Sequence, residues 1–136
     1  MVQDVRFSRA ASTAFCNDII TRLGSAAKAK VYTGTIRAHP EDGISGQVLL
    51  GTLALATPAV GTESGGTLTF GAISNDVSAD ATGTAAWVSF EKSDGTGVID
   101  VKCGVTGSGE AVEFVTTSFV AGAPVAMTAG TLKLPG

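Results

Sequence analysis

The apolar residues of this chain change period once, at Gly24, and that change limits the folds open to it. Over 8–23 they recur at helical spacing: Ala11, Phe15, Ile19 and Leu23 fall every four residues, and Cys16 and Ile20 widen the stripe. Ser8 is suited to cap the start and Gly24 to end the helix in a left-handed conformation. Asp18 and Arg22 make an i,i+4 pair for the exposed side. Beyond Gly24 the period is two. A lone helix cannot bury its own stripe, so the stripe must pack on the β layer that follows or on a second copy of the chain.

The β region reads as a succession of short strands. A strand is expected over 28–37, then a turn at His39, Pro40, Glu41, Asp42 and Gly43. Residues 48–55 are apolar on both faces, as in a central strand, and 58–66 read as a long loop. In 67–73 Leu68, Phe70 and Ala72 share one side. In 83–92 Ala86, Val88 and Phe90 form one face, with Ala85, Trp87, Ser89 and Glu91 on the other. Asp94-Gly95 marks a hairpin. The next strand turns Ile99, Val101, Cys103 and Val105 inward, with Asp100 and Lys102 outward. After a glycine-rich turn at 106–109, Val112 and Phe114 face in and Glu113 out, and two short strands over 124–127 and 131–134 end the chain. Roughly eight strands about ten residues apart indicate a mainly β fold: a jelly-roll-like antiparallel β-sandwich with one N-terminal α-helix. The expected division is an N-terminal arm and amphipathic helix over 1–24 and a β-sandwich domain over 25–136.

Reactive side chains are few. Of 136 residues, 20 are Ala, 18 Gly, 17 Thr and 11 Ser, whereas only 15% are charged and 6% aromatic, which excludes a coiled coil and charge-driven disorder. The one histidine, His39, sits beside Pro40 in a turn, without a G-x-S-x-G motif. Ser25-Ala26-Ala27-Lys28 matches S-x-x-K but lacks that motif's companion elements. Asp76 and Asp80 lie in a loop able to hold an ion loosely, and Glu41-Asp42 is a second acidic pair; neither makes an EF-hand-like run. Residues 104–109 are glycine-rich but have no P-loop lysine. No catalytic residue, cofactor or metal site is therefore expected, and a non-enzymatic role is. Cys16 and Cys103 read as buried thiols rather than a disulfide. Two uncharged stretches, 43–62 and 114–132, approach the length of a membrane span but are broken by Gly, Thr, Ser and Pro. The charged N-terminus does not resemble a signal peptide, so a soluble protein made in the cytoplasm is expected.

Charge is unevenly spread. Residues 1–40 carry six basic and two acidic groups, a net +4; residues 41–136 carry three basic and ten acidic groups, a net −7, which together make the −3 of the whole. The basic lead is either a docking segment for an acidic partner or simply a solvated helix with its flanks. Nucleic-acid binding is not expected of an acidic domain without a basic-aromatic stripe. Trp87 likewise has two readings: a core residue covered by the N-terminal helix, or a partly exposed anchor at an interface.

One ordered set of features carries a resemblance. After the arm and helix come Lys30-Val31-Tyr32-Thr33-Gly34-Thr35, then Leu49-Leu50 and Leu53-Ala54-Leu55-Ala56-Thr57-Pro58, Leu68-Thr69-Phe70, and Gly83-Thr84-Ala85-Ala86-Trp87. Over nearly its whole length the chain resembles the capsid decoration, or cement, proteins of tailed bacteriophages. The resemblance implies a jelly-roll-like domain bound outside an icosahedral head as a homo-oligomer, bridging neighbouring major capsid protein subunits. It implies a virion protein made in the host cytoplasm, with no cofactor and no catalytic residues to carry over. Symmetry makes a homodimer on a two-fold or a homotrimer on a three-fold axis the expected forms. The interface residues expected from the sequence are Arg6, Phe7, Arg9, Tyr32 and Trp87. The alternative is a receptor- or carbohydrate-binding β module of a tail fibre or baseplate, with Trp87 or Tyr32 as a stacking platform. A hydrolase using His39 or an acidic pair is a third reading.

Overall fold

In the computed structural model, which describes residues 8–55, 60–64, 67–70, 73–74, 76 and 78–133, the helix forms where the sequence places it. Helix α1 (Arg9–Leu23) is capped by the Ser8 hydroxyl, which accepts the Ala11 N–H at 3.1 Å. It ends at Gly24, whose φ of 64° suits glycine and whose N–H reaches the Ile20 carbonyl. The buried face is rotated from the one expected. Ser12, Cys16, Ile19 and Leu23 face inward, whereas Ala11 is exposed and Phe15 is 53% exposed. Small side chains at 12 and 16 let the helix approach the sheet closely, and this outweighs the greater apolarity of Phe15. Among the described residues no helix is long and apolar enough to cross a membrane.

Ten strands follow among the described residues: β1 (Lys28–Tyr32), β2 (Leu49–Ala54), β3 (Val60–Ser64), β4 (Thr67–Phe70), β5 (Gly83–Thr84), β6 (Trp87–Glu91), β7 (Gly97–Val105), β8 (Val112–Phe114), β9 (Ser118–Phe119) and β10 (Met127–Lys133). Eight of them form one sheet in the order β2-β1-β6-β7-β8-β10-β4-β3, and β5 pairs with β9 separately. The fold is mainly β with one N-terminal helix. All pairs are antiparallel except β7 with β8. The sheet is curled: β4 lies four places from β6, roughly 19 Å along a flat sheet at about 4.8 Å per strand. Yet Phe70 of β4 stacks on Phe90 of β6 with ring centroids 4.4 Å apart. Between the two halves lies one core, in which Cys16, Ile19 and Leu23 join Ala29, Val31, Leu53, Leu68, Val88 and Phe90. Val112 and Phe114 are buried as expected, and Phe114 meets Phe119 edge-on at 5.3 Å.

Several boundaries depart from the sequence reading. The strand expected over 28–37 stops at Tyr32, where the register with β2 shifts, and Gly34 (φ 79°) turns the chain into a long connection. The strand expected over 83–92 is broken because its partners change: Ala85 N–H bonds to Thr117, and Ala86 N–H to Tyr32. The expected loop over 58–66 contains β3; residues 58, 59, 65 and 66 lie outside the described residues, as does Ala72. The two closing strands are one, β10, with an isolated bridge from Val125 to Asp76; Leu134 lies outside the described residues. Val105 is exposed, not inward.

β2 ends the strand order rather than occupying its centre, but its outer edge is closed. Asp80 N–H bonds to the Leu50 carbonyl at 2.8 Å, Ser74 N–H to the Ala54 carbonyl at 2.9 Å, and Thr52 N–H to Asp76 Oδ2 at 2.8 Å. A segment, not a strand, thus satisfies the edge, which explains why β2 carries apolar residues such as Leu50 and Leu53.

The two cysteines form no disulfide. Burial pushes the Cys103 thiol up to about 11. The folded state therefore holds this proton more tightly than the unfolded chain, where the ordinary value is 9.0. Its contribution to stability is complete below pH 9 and is lost as pH rises through about 11. Unfolding titrations in urea are expected to show this alkaline loss reduced in Cys103→Ala. Tyr32, raised in the same direction by burial, accounts for part of the remainder. Ala26 has a φ of 60°, which costs a residue with a Cβ about 1 kcal/mol. Ala26→Gly should raise the stability by up to about 1 kcal/mol in the same measurement.

Candidate functional site

Strand register places Lys28, Lys30 and Tyr32 of β1, Trp87, Ser89 and Glu91 of β6, and Asp100 and Lys102 of β7 on one face, opposite the core. The sequence reading leaves this face open or under the helix. In the structure α1 packs on the other side, with the core, and the connection 33–48 crosses over this one. All five residues of β6 are consequently buried.

Arg37 anchors the crossing. Its Nε donates to Asp100 Oδ2 at 2.7 Å, Nη2 to Asp100 Oδ1 at 3.1 Å and to Ser89 Oγ at 2.7 Å, and Nη1 to the Asp42 carbonyl at 2.7 Å. The guanidinium lies 5.3 Å from the Trp87 ring centroid. Its bond to Asp100 raises its pKa above the already high value of an arginine. The Arg37 and Asp100 side chains are only 9% and 5% exposed, so the pair is a buried one with nearly every donor engaged. Beside it, Lys30 Nζ sits 3.0 Å from Glu91 Oε1, a charge contact off the hydrogen-bond direction. The roof can lie this low because position 97 is glycine: a Cβ there would stand 2.1 Å from the Pro40 carbonyl oxygen.

Tyr32 and Trp87 stack at 4.7 Å beneath this roof, and Trp87 Nε1 donates to the Thr33 carbonyl at 3.2 Å. Trp87 is fully buried and Tyr32 6% exposed. This corrects their expected place at an interface: within the chain they pack against each other, and neither offers a stacking platform to a sugar. The core reading of Trp87 holds, with the 33–48 connection as its cover instead of the helix. Arg9 is exposed in the first turn of α1; Arg6 and Phe7 lie outside the described residues. His39 is exposed, with its main-chain N–H on Asp42 Oδ2. Both Asp76 oxygens accept main-chain N–H groups, from Thr52 and Ser78, so this carboxylate ties segments together. Among the described residues no group of three or more metal-ligating side chains converges.

A cleft of about 630 Å³ lies where α1, the 36–41 stretch and the start of β7 meet. Phe15, Ile19, Ile36, Pro40, Val98 and Ile99 supply its apolar lining. The charged lining residues are Asp18, Glu41, Asp100, Arg22, Arg37 and Lys92, three of each sign. Asp18 and Arg22 are paired at 2.7 Å across the rim. Thr96 is the one hydroxyl residue in the lining. The sequence reading missed it, because Phe15 was assigned to the core and Arg37 to a strand. Compared with models of protein families, with curated proteins and with solved structures, the chain matches none.

Removing one partner of the buried pair strands the other charge. Arg37→Met is therefore expected to lower stability by about 3–5 kcal/mol, with most of the loss recovered when Asp100→Leu is added. Urea unfolding followed by Trp87 fluorescence reads both outcomes.

Proposed function

We propose that this protein works through its surface, as a non-enzymatic structural component of a tailed-bacteriophage head. In this role it binds the outer face of the icosahedral shell and cements neighbouring major capsid protein subunits. The reading rests first on the resemblance in the order of its elements. The observation that best supports it is the contrast between a roofed β body and several large apolar side chains left outside it. Phe15, Val105, Val115 and Val120 are 53%, 45%, 70% and 58% exposed. Side chains of this kind suit contact with a flat protein surface.

Cementing needs no strong single contact. Identical contacts repeated around a closed shell add through multivalency, and a protein that binds only the assembled lattice shifts the equilibrium towards assembly. A homodimer or homotrimer would match the two-fold and three-fold axes of such a shell. The basic lead, with Arg6 and Arg9 flanking Phe7, suits an acidic capsid surface.

The test is cosedimentation of the purified chain with heads assembled from the major capsid protein of the same genome. Binding to expanded heads, and none to free capsid subunits, is the expected result; no binding to expanded heads overturns the proposal. Deleting residues 1–7 should leave the circular dichroism spectrum unchanged and weaken attachment. Undiminished attachment of the truncated chain would remove the arm from the mechanism.

A further inference from the structure

The 33–48 connection covers the Tyr32–Trp87 face without being part of the core. Apart from the Arg37 side chain no residue of 33–48 is buried, and its larger apolar side chains Ile44 and Val48 are 41% and 47% exposed. None of it joins the main core cluster. Tyr32 and Trp87 stand outside that cluster too, so with the connection they form a separate layer on the far side of the sheet. Among the described residues, the hydrogen bonds that leave 34–47 for the rest of the molecule are those of Arg37 to Asp100 and Ser89. Bonds such as Gln47 Nε2 to the Thr35 carbonyl and Ser45 N–H to Gln47 Oε1 close within the connection itself.

Its base, by contrast, is pinned. Thr33 N–H donates to the Val48 carbonyl at 3.1 Å, and Val48 N–H to Thr33 Oγ1 at 3.0 Å. Just inside these two bonds stand Gly34 and Gly46, with φ of 79° and 82°. Glycine at both points lets the chain turn where a side chain would resist. A Cβ at Gly46 would meet nothing within 4 Å, so no packing blocks movement there.

We propose that residues 34–47 form a lid latched by Arg37, which pivots at Gly34 and Gly46 and bares the Tyr32–Trp87 face while the core stays folded. A segment with few buried apolar contacts opens more readily than the body it covers. The uncovered face tolerates water, because Lys28, Lys30, Glu91, Asp100 and Lys102 share it with the two aromatic rings. Antiparallel sheets commonly keep one such face solvated. Water has a route to the latch, since Arg37 and Asp100 both line the cleft beside α1. Once the lid is up, both ions face solvent and neither is left stranded. The burial of Trp87 and the Arg37 bonds to Asp100 and Ser89 keep the closed form dominant.

The inference does not depend on the capsid proposal, and its test involves no capsid. Trp87 is the only tryptophan, so its indole N–H gives a single resonance in the full chain. Hydrogen exchange of this proton is compared with that of the Val31, Val88 and Phe90 amides in β1 and β6. The expected protection factor of the indole is at least tenfold below those of the amides. It should also hold constant at urea concentrations that accelerate the amides, because lid opening exposes little surface. Leu68→Val, a mild core change on β4, should speed the amides at least threefold and leave the indole unchanged. Arg37→Met should speed indole exchange at least tenfold. Equal protection and equal urea dependence of indole and amides would overturn the lid, since the face then opens only with the whole fold. An equal response of both to Leu68→Val would do the same. Indole exchange unchanged by Arg37→Met would overturn the latch.

Discussion

Two charges buried beneath a strap of irregular chain hold the polar side of this molecule in place. Arg37 and Asp100 are 63 positions apart, and their contact at 2.7 Å pins the 33–48 connection over a strand face that would otherwise be wet. Taking both ions out of water is costly, and the cost is offset because Arg37 also reaches Ser89 and the Asp42 carbonyl. The consequence is structural order on both sides of β6. With Trp87 and Tyr32 stacked under the strap and Val88 and Phe90 in the main core, β6 is buried throughout. It becomes the strand about which the rest is arranged.

The curl of the sheet and the place of the helix follow from the same economy of surface. Phe70 and Phe90 meet because the β4 side of the sheet folds back over β6. α1 packs into the core through Ser12, Cys16, Ile19 and Leu23, touching both β3 and β7. β8 covers only the last three residues of β7, so helix and strap flank an edge that no described strand completes. Between them lies the cleft, whose six charged lining residues sum to zero.

Much of the fold was legible in the chain itself. The helix with its Ser8 cap and Gly24 end, the Asp94-Gly95 hairpin, and the inward Leu68, Phe70, Val112 and Phe114 all rest on local chemistry or local period. The misreadings share a cause. Phe15 was placed inside on apolarity, and Asp100 outside on alternation, yet burial depends on what other segments bring to each face. The interface role expected of Tyr32 and Trp87 failed for the same reason: alternation assigns a face but not its cover. The cleft was not legible, since it is made by Phe15, Ile36 and Ile99 from three separate elements.

What the sequence alone determined is the class of the molecule: one helix, many short strands, and a body built mostly of small side chains. These follow from period, turn residues and composition, which act over a few positions. The tertiary structure decided which side of the helix is buried, where the sheet curls, which edge is left unpaired and how Arg37 is matched to Asp100. Those outcomes depend on free-energy differences between distant segments competing to cover the same surfaces, and no short stretch of chain carries that information.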